Sequence, residues 1–93
     1  MFISGSEARA LVAEGAQLVD VRGPHEYAAD GAPGAVNIPL QALAQIARDM
    51  LSADKPVVVY CASGMRSAQA KNVLQQLGFS SVHNVCSARQ YMS

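Results

Sequence analysis

Tryptophan is absent from this chain of 93 residues, and cysteine and histidine are represented by two residues each. Cys61 and Cys86 stand 25 positions apart, with no CxxC and no neighbouring histidine, so neither a zinc site nor a disulfide framework is indicated. Both read as thiols of a reducing compartment, and a cytoplasmic location is expected. Charge is also scarce. Charged residues make up 15% of the chain, against the roughly 25% usual in globular domains. The 7 basic and 7 acidic residues cancel, and the basic ones are scattered singly. A nucleic-acid stripe and an acidic tail are thereby excluded. No apolar run approaches the ~20 residues of a membrane span, and Met1-Phe2-Ile3-Ser4 has neither the basic start nor the apolar stretch of a signal peptide. Nothing calls for a metal or a cofactor.

What remains is rich in core-forming residues. With 51% apolar content the chain is not disordered, and its length suits one domain over residues 1–93. Ser4 and Glu7 form a capping box ahead of Ala8, Leu11 and Val12, predicting a helix from about Ser6 to Glu14 that Gly15 closes. Leu18 to Val21 reads as a buried strand. Gly23-Pro24, Gly31, Pro33 and Gly34 make the next stretch mostly loop, with a helical turn near Glu26. A second strand at Ala35 to Ile38 leads to a helix over about Gln41 to Leu51, where Leu43, Ile46, Ala47, Met50 and Leu51 recur at spacings of three and four. Val57-Val58-Val59-Tyr60 is apolar at every position, as a central strand covered on both faces is. Ala70, Val73, Leu74 and Leu77 then mark a helix over about Ser67 to Leu77, Gly78 ends it, and Val82 to Val85 is a last strand. Strands alternating with helices imply a small α/β sheet with helices on both faces.

The segment Cys61-Ala62-Ser63-Gly64-Met65-Arg66-Ser67 follows the strongest strand and precedes a helix, at the sheet end where α/β folds bind ligands. A thiol there faces loop N–H groups and the positive end of a helix, which lower its pKa, so Cys61 is expected to be largely thiolate near neutrality. Gly64 lets the backbone converge into an anion nest, Arg66 offers a fork of donors for an oxyanion, and the Ser67 hydroxyl is placed to cap the helix.

At these residues the chain resembles the single-domain rhodaneses, the thiosulfate sulfurtransferase family. The likeness extends through Asp20-Val21-Arg22, Glu26-Tyr27, Pro33-Gly34-Ala35, Asn37-Ile38-Pro39, Leu77-Gly78-Phe79 and Asn84-Val85, in the family's order along nearly the whole chain. The resemblance implies a five-stranded, mainly parallel sheet with Met1 to Ile3 as a short edge strand. It also implies that Cys61 carries a transferable sulfur as a persulfide, cradled by Ala62, Ser63, Gly64, Met65, Arg66 and Ser67. Thiosulfate or a similar small sulfur-containing anion would be the donor, and cyanide, a thiol or a sulfur-accepting protein the acceptor. The chain departs from the family at Asp30-Gly31-Ala32, where relatives commonly read Gly-His-Ile, and at Cys86-Ser87, where they read Gly-Gly. The segment after Ser87 is short, so an open or differently built rim is expected there.

Cysteine phosphatases share the strand, loop and helix but use Cx5R, whereas Cys61 to Arg66 is Cx4R. The smaller ring suits one sulfur better than a phosphate, and no acid stands ready for an alkoxide leaving group. Other residues have plainer readings. Asp20 and Arg22 are scaffold, through an Arg22–Glu26 ion pair and bonds from Asp20 to loop amides. His25 and His83 are isolated polar residues. Cys86 is a small residue in a glycine site, or an accessory thiol within one or two ~4.8 Å strand spacings of Cys61. In the second case the chain could serve as a persulfide carrier or a Cys61/Cys86 redox module.

Overall fold

A computed structural model describes residues 1–93. The elements run α1 (Gly5–Ala13), β1 (Gln17–Asp20), α2 (Pro24–Asp30), β2 (Val36–Asn37), α3 (Leu40–Met50), β3 (Val57–Cys61), α4 (Met65–Gln76), β4 (Val82–Ser87) and α5 (Ala88–Met92). Four parallel strands form one sheet in the order β2-β1-β3-β4. The α/β architecture is the expected one, but the fifth strand is not. Met1 to Ile3 contributes one ladder-like bond, from the Ile3 N–H to the Asn84 carbonyl at 2.9 Å. Ser4 then caps α1, accepting from the Glu7 N–H at 3.0 Å while its own N–H bonds the Glu7 carboxylate at 2.9 Å. The chain turns into the helix before a second rung can form.

The apolar run of β3 is explained by two cores. Val57, Val59 and Cys61 face a layer built on Leu43 and Ala47 of α3 and Ala70 and Leu74 of α4. Val58 and Tyr60 face Ala8 of α1, Val85 and Tyr91 of α5. Alternation along one strand thus places Cys61 on the α3/α4 face, and successive residues serve opposite layers. No helix is long and apolar enough to cross a membrane.

Two segments are more regular than the sequence suggests. The stretch around Glu26 is a helix of 7 residues, α2, opened by Pro24 at its first position and closed at Gly31. The last residues form α5. Its capping residue Ser87 accepts from the Gln90 N–H at 3.1 Å, and its Tyr91 carbonyl takes a 2.6 Å bond from the Arg9 guanidinium. Gly5 has to be glycine for this docking, since a Cβ there would collide with the Gln90 carbonyl.

Between β3 and β4 the register slips: Val59 pairs with Asn84 but Cys61 pairs with Ser87, so Val85 and Cys86 together oppose Tyr60. This is a β-bulge, and Cys86 lies in it with φ 79, the one non-glycine residue at positive φ.

Candidate active site

Cys61 ends β3 with 1% of its surface exposed. The next three residues turn the chain so that Gly64, at φ 92, becomes the residue before α4. Only this left-handed turn brings two amides back onto the sulfur: Gly64 N–H lies 3.0 Å and Ser67 N–H 3.3 Å from Cys61 Sγ. Burial pushes the thiol pKa up. The Ser67 hydroxyl and the amides of Ser67, Ser63 and Gly64 outweigh it, and the net direction is below the ordinary thiol value of 9.0.

Ser67 does not cap α4. The helix starts two residues earlier, at Met65, because left-handed Gly64 already provides the turn. Buried Ser67 instead sits 3.3 Å from Cys61 Sγ and donates its hydroxyl to Asn84 Oδ1 at 2.8 Å. The orientation of the Asn84 amide is fixed on both sides. Oδ1 also accepts the Cys86 N–H at 2.9 Å, and Nδ2 donates to the Gly64 carbonyl at 3.3 Å. The Ser67 hydroxyl is within hydrogen-bonding distance of both Asn84 Oδ1 and Cys61 Sγ. Asn84 positions Ser67 and ties the cradle to the bulge. The sequence offered only its place among the family-like residues, because its partners lie 17 and 20 positions away.

The two arginines singled out in the sequence are both engaged. Arg66 makes a bidentate pair with Glu26, at 2.8 and 3.0 Å, and makes no hydrogen bond to the Cys61 sulfur, though its charge interacts with it; both side chains are 41% exposed. The Arg66 guanidinium, followed by the Gly23 N–H, holds the Glu26 carboxyl down at about 2. The expected Arg22–Glu26 pair is therefore replaced. Arg22 instead bonds Asp20 from its own N–H (2.8 Å), from Nε (3.1 Å) and from Nη2 (2.8 Å), and it reaches Asp30 at 2.9 Å. Asp20 bonds a loop amide as expected, that of Arg22 just after β1. Arg22 also lies over the Tyr60 ring, 5.6 Å from its centroid.

A recess of about 240 Å³ opens above the thiol, walled by Cys61, Ala62, Arg22, Asp30, Ser87 and Arg89 among others. It is smaller than the ~300–1,000 Å³ of drug-sized sites. Of the cradle residues named from the sequence, Ala62 reaches this wall and the exposed Met65 side chain does not. Arg89 was not foreseen, because nothing local marks α5 as part of the rim. A larger hollow, about 360 Å³, lies between α1 and the start of β4 against Glu7, Glu14 and His83, and holds no nucleophile. His25 is exposed, and His83 bonds Ser81 at 3.0 Å. No group of His, Cys, Asp and Glu is arranged to hold a metal ion.

The Cys86 sulfur accepts none of the hydrogen bonds in the structure, and it lies 3.3 Å from where a Cβ on Gly64 would stand. Gly64 thus stands between the two sulfurs, its N–H turned to Cys61 and its Cα side toward Cys86 and Phe2.

The fold is thus an α/β domain with a buried thiol at the carboxyl end of a central parallel strand and two amides of the following loop and helix on its sulfur. The family profile described as the Rhodanese-like domain matches residues 4–87. Thiosulfate sulfurtransferase GlpE of Pseudomonas entomophila is 39% identical over 83 residues, covering 89% of this chain and 75% of its own. Thiosulfate sulfurtransferase PspE of Escherichia coli is 39% identical over 67 residues, covering 71% of this chain and 64% of its own. Among solved structures, a human single-domain sulfurtransferase superposes with a TM-score of 0.83 at 30% identity, over 98% of this chain and 94% of that one. The chain belongs to the rhodanese-like domain family. It spans only 55% of the length of a Bacillus subtilis relative that is 40% identical to it.

Proposed function

We propose that the chain is a thiosulfate sulfurtransferase acting by double displacement through Cys61. The observation that carries this reading is the 1%-exposed Cys61 thiol, lowered in pKa by the Ser67 hydroxyl and converging amides and opening onto a small recess. The names of GlpE and PspE support it. In the first half-reaction the Cys61 thiolate attacks the outer sulfur of thiosulfate. The bond between the two donor sulfurs breaks, sulfite leaves with the electron pair, and Cys61 becomes a persulfide anion. In the second, cyanide or a thiolate attacks the terminal sulfur and Cys61 leaves as thiolate. Neither step needs a proton at the reacting sulfur, which agrees with a site holding amides but no imidazole.

In this reading the backbone from Ala62 to Ser67 is the cradle, and the Gly64 and Ser67 amides stabilise thiolate and persulfide alike. Arg66 acts through Glu26, as a brace between α4 and α2 rather than a ligand. The setting is a reducing one, cytoplasmic in kind, in which both cysteines stay free.

Intact-protein mass spectrometry after thiosulfate treatment tests the reading. The native chain gains one sulfur and Cys61→Ser gains none. A native chain that gains nothing, or a variant that gains as much, overturns it. Loading without multiple turnover toward cyanide or small thiols would shift the reading to a persulfide carrier for a protein acceptor.

A further inference from the structure

Three arginines stand near the thiol, and their charges are spent differently. The ion pairs of the molecule engage Arg22, with Asp20 and Asp30, and Arg66, with Glu26. Arg89 makes no ion pair and no side-chain hydrogen bond, yet it lines the recess that contains Cys61. Its place is set by buried or bonded backbone. Ser87 caps the helix that carries it, Tyr91 two residues on is 9% exposed within the α1-side core, and Arg9 holds the Tyr91 carbonyl. The Asp30 carboxylate, 73% exposed, also lines the recess and shares Arg22 with Asp20, so that trio carries one net negative charge and leaves Arg89 to meet an anion. Arg89 is thus the one cation of the recess with no carboxylate bonded to it, at the rim and on an ordered helix.

We propose that Arg89 recognises the negatively charged end of the sulfur donor and makes Cys61 selective for anionic over neutral reagents. This rests on the sulfurtransferase reading for the identity of the donor, but not for the selectivity. A donor such as thiosulfate presents its outer sulfur to Cys61 and its sulfonate to the rim. The guanidinium fork matches that oxyanion geometry and offsets the approach of one anion to another, a thiolate. After the S–S bond breaks, the same contact holds the departing sulfite, which keeps the electron pair of the broken bond.

The test compares alkylation of Cys61 by iodoacetate, an anion, with alkylation by iodoacetamide, its neutral counterpart. Both are read at the Cys61 peptide by mass spectrometry, so that Cys86 does not contribute. In Arg89→Gln the ratio of the two rates should fall by about fivefold, the order expected of one exposed charge at close range. Arg89→Lys should retain most of it, and added salt should erode the native ratio. With thiosulfate, Arg89→Gln should raise KM with little change in kcat. An unchanged rate ratio in Arg89→Gln overturns the proposal, as does an equal fall with both reagents, which would mark a structural role. Sulfur loading by the native chain is read separately. A chain that takes no sulfur but keeps an Arg89-dependent ratio overturns the sulfurtransferase reading and leaves the anion recognition standing.

Discussion

Of the four strand-to-helix junctions at the carboxyl end of the sheet, those after β3 and β4 each contain a cysteine and a left-handed residue, and they put them to opposite uses. At β3–α4 the left-handed residue is Gly64, three positions after Cys61, and the turn aims amides at the sulfur. At β4–α5 the cysteine is itself the left-handed residue, at φ 79, and the N–H it contributes is aimed at Asn84. A thiol becomes an anion site when its neighbours take the unusual backbone conformation, because their donors then converge on it. A thiol that takes that conformation gains no donor and carries the strain. Asn84 joins the junctions, so the passive one also orients the active one.

The largest effect is expected from giving Gly64 a side chain. A Cβ there would lie 2.5 Å from the Phe2 ring and 3.3 Å from Cys86 Sγ, in a left-handed conformation besides. Gly64→Ala is expected to cost about 1–3 kcal/mol of stability in chemical denaturation and to abolish most of the thiosulfate loading, since relaxing φ turns the amides away from the sulfur. Loading at the native rate would show that the amide cradle is not what activates Cys61.

Ser67→Ala makes a smaller change at the active junction. It removes the hydroxyl that lowers the Cys61 pKa and leaves Asn84 Oδ1 with the Cys86 N–H alone. The pH midpoint of Cys61 alkylation should therefore move upward. In the native chain it is expected below the ordinary thiol value of 9.0, with thiolate lost as pH falls through the lowered value. The lost buried bond should cost about 1–2 kcal/mol. A midpoint that stays in place would assign the lowering to the amides alone.

The gentlest change is at the passive junction. Cys86→Gly relieves a left-handed cysteine and should raise stability by up to about 1 kcal/mol, offset in part by the freedom glycine gains when unfolded. Thermal unfolding measures this. A clear loss of stability would mean that the Cys86 side chain contributes packing beyond filling a glycine site.

Most of the fold was legible because its signals are local. The capping box at Ser4 and Glu7 starts α1, the apolar run from Val57 has the composition of a doubly covered strand, and Gly78 at φ 100 ends α4. The α2 helix was reduced to a turn because Gly23, Pro24 and Gly31 read as breakers. Here Gly23-Pro24 is the start of the helix and Gly31 its end. The fifth strand failed for want of a second rung. Within the site, the spacing of Cys61 and Gly64 marks the loop, whereas the ion pair of Arg66 has no local signal. Its partner Glu26 lies 40 positions away on α2, and no spacing rule reaches that far.

By itself the sequence determined the alternation of strand and helix, the parallel sheet that follows from it, and the thiol in a glycine-bearing loop at the carboxyl end of the central strand. Those are consequences of periodicity and of backbone permissiveness, which act over a few residues. Only the tertiary structure decided which arginines are free. It neutralised Arg66 with Glu26 and Arg22 with Asp20 and Asp30, and it left Arg89 unpaired at the rim on a helix docked through Gly5, Arg9 and Tyr91. A charge acts according to what lies within a few ångströms of it, and those neighbours are assembled from chain segments that folding alone brings together.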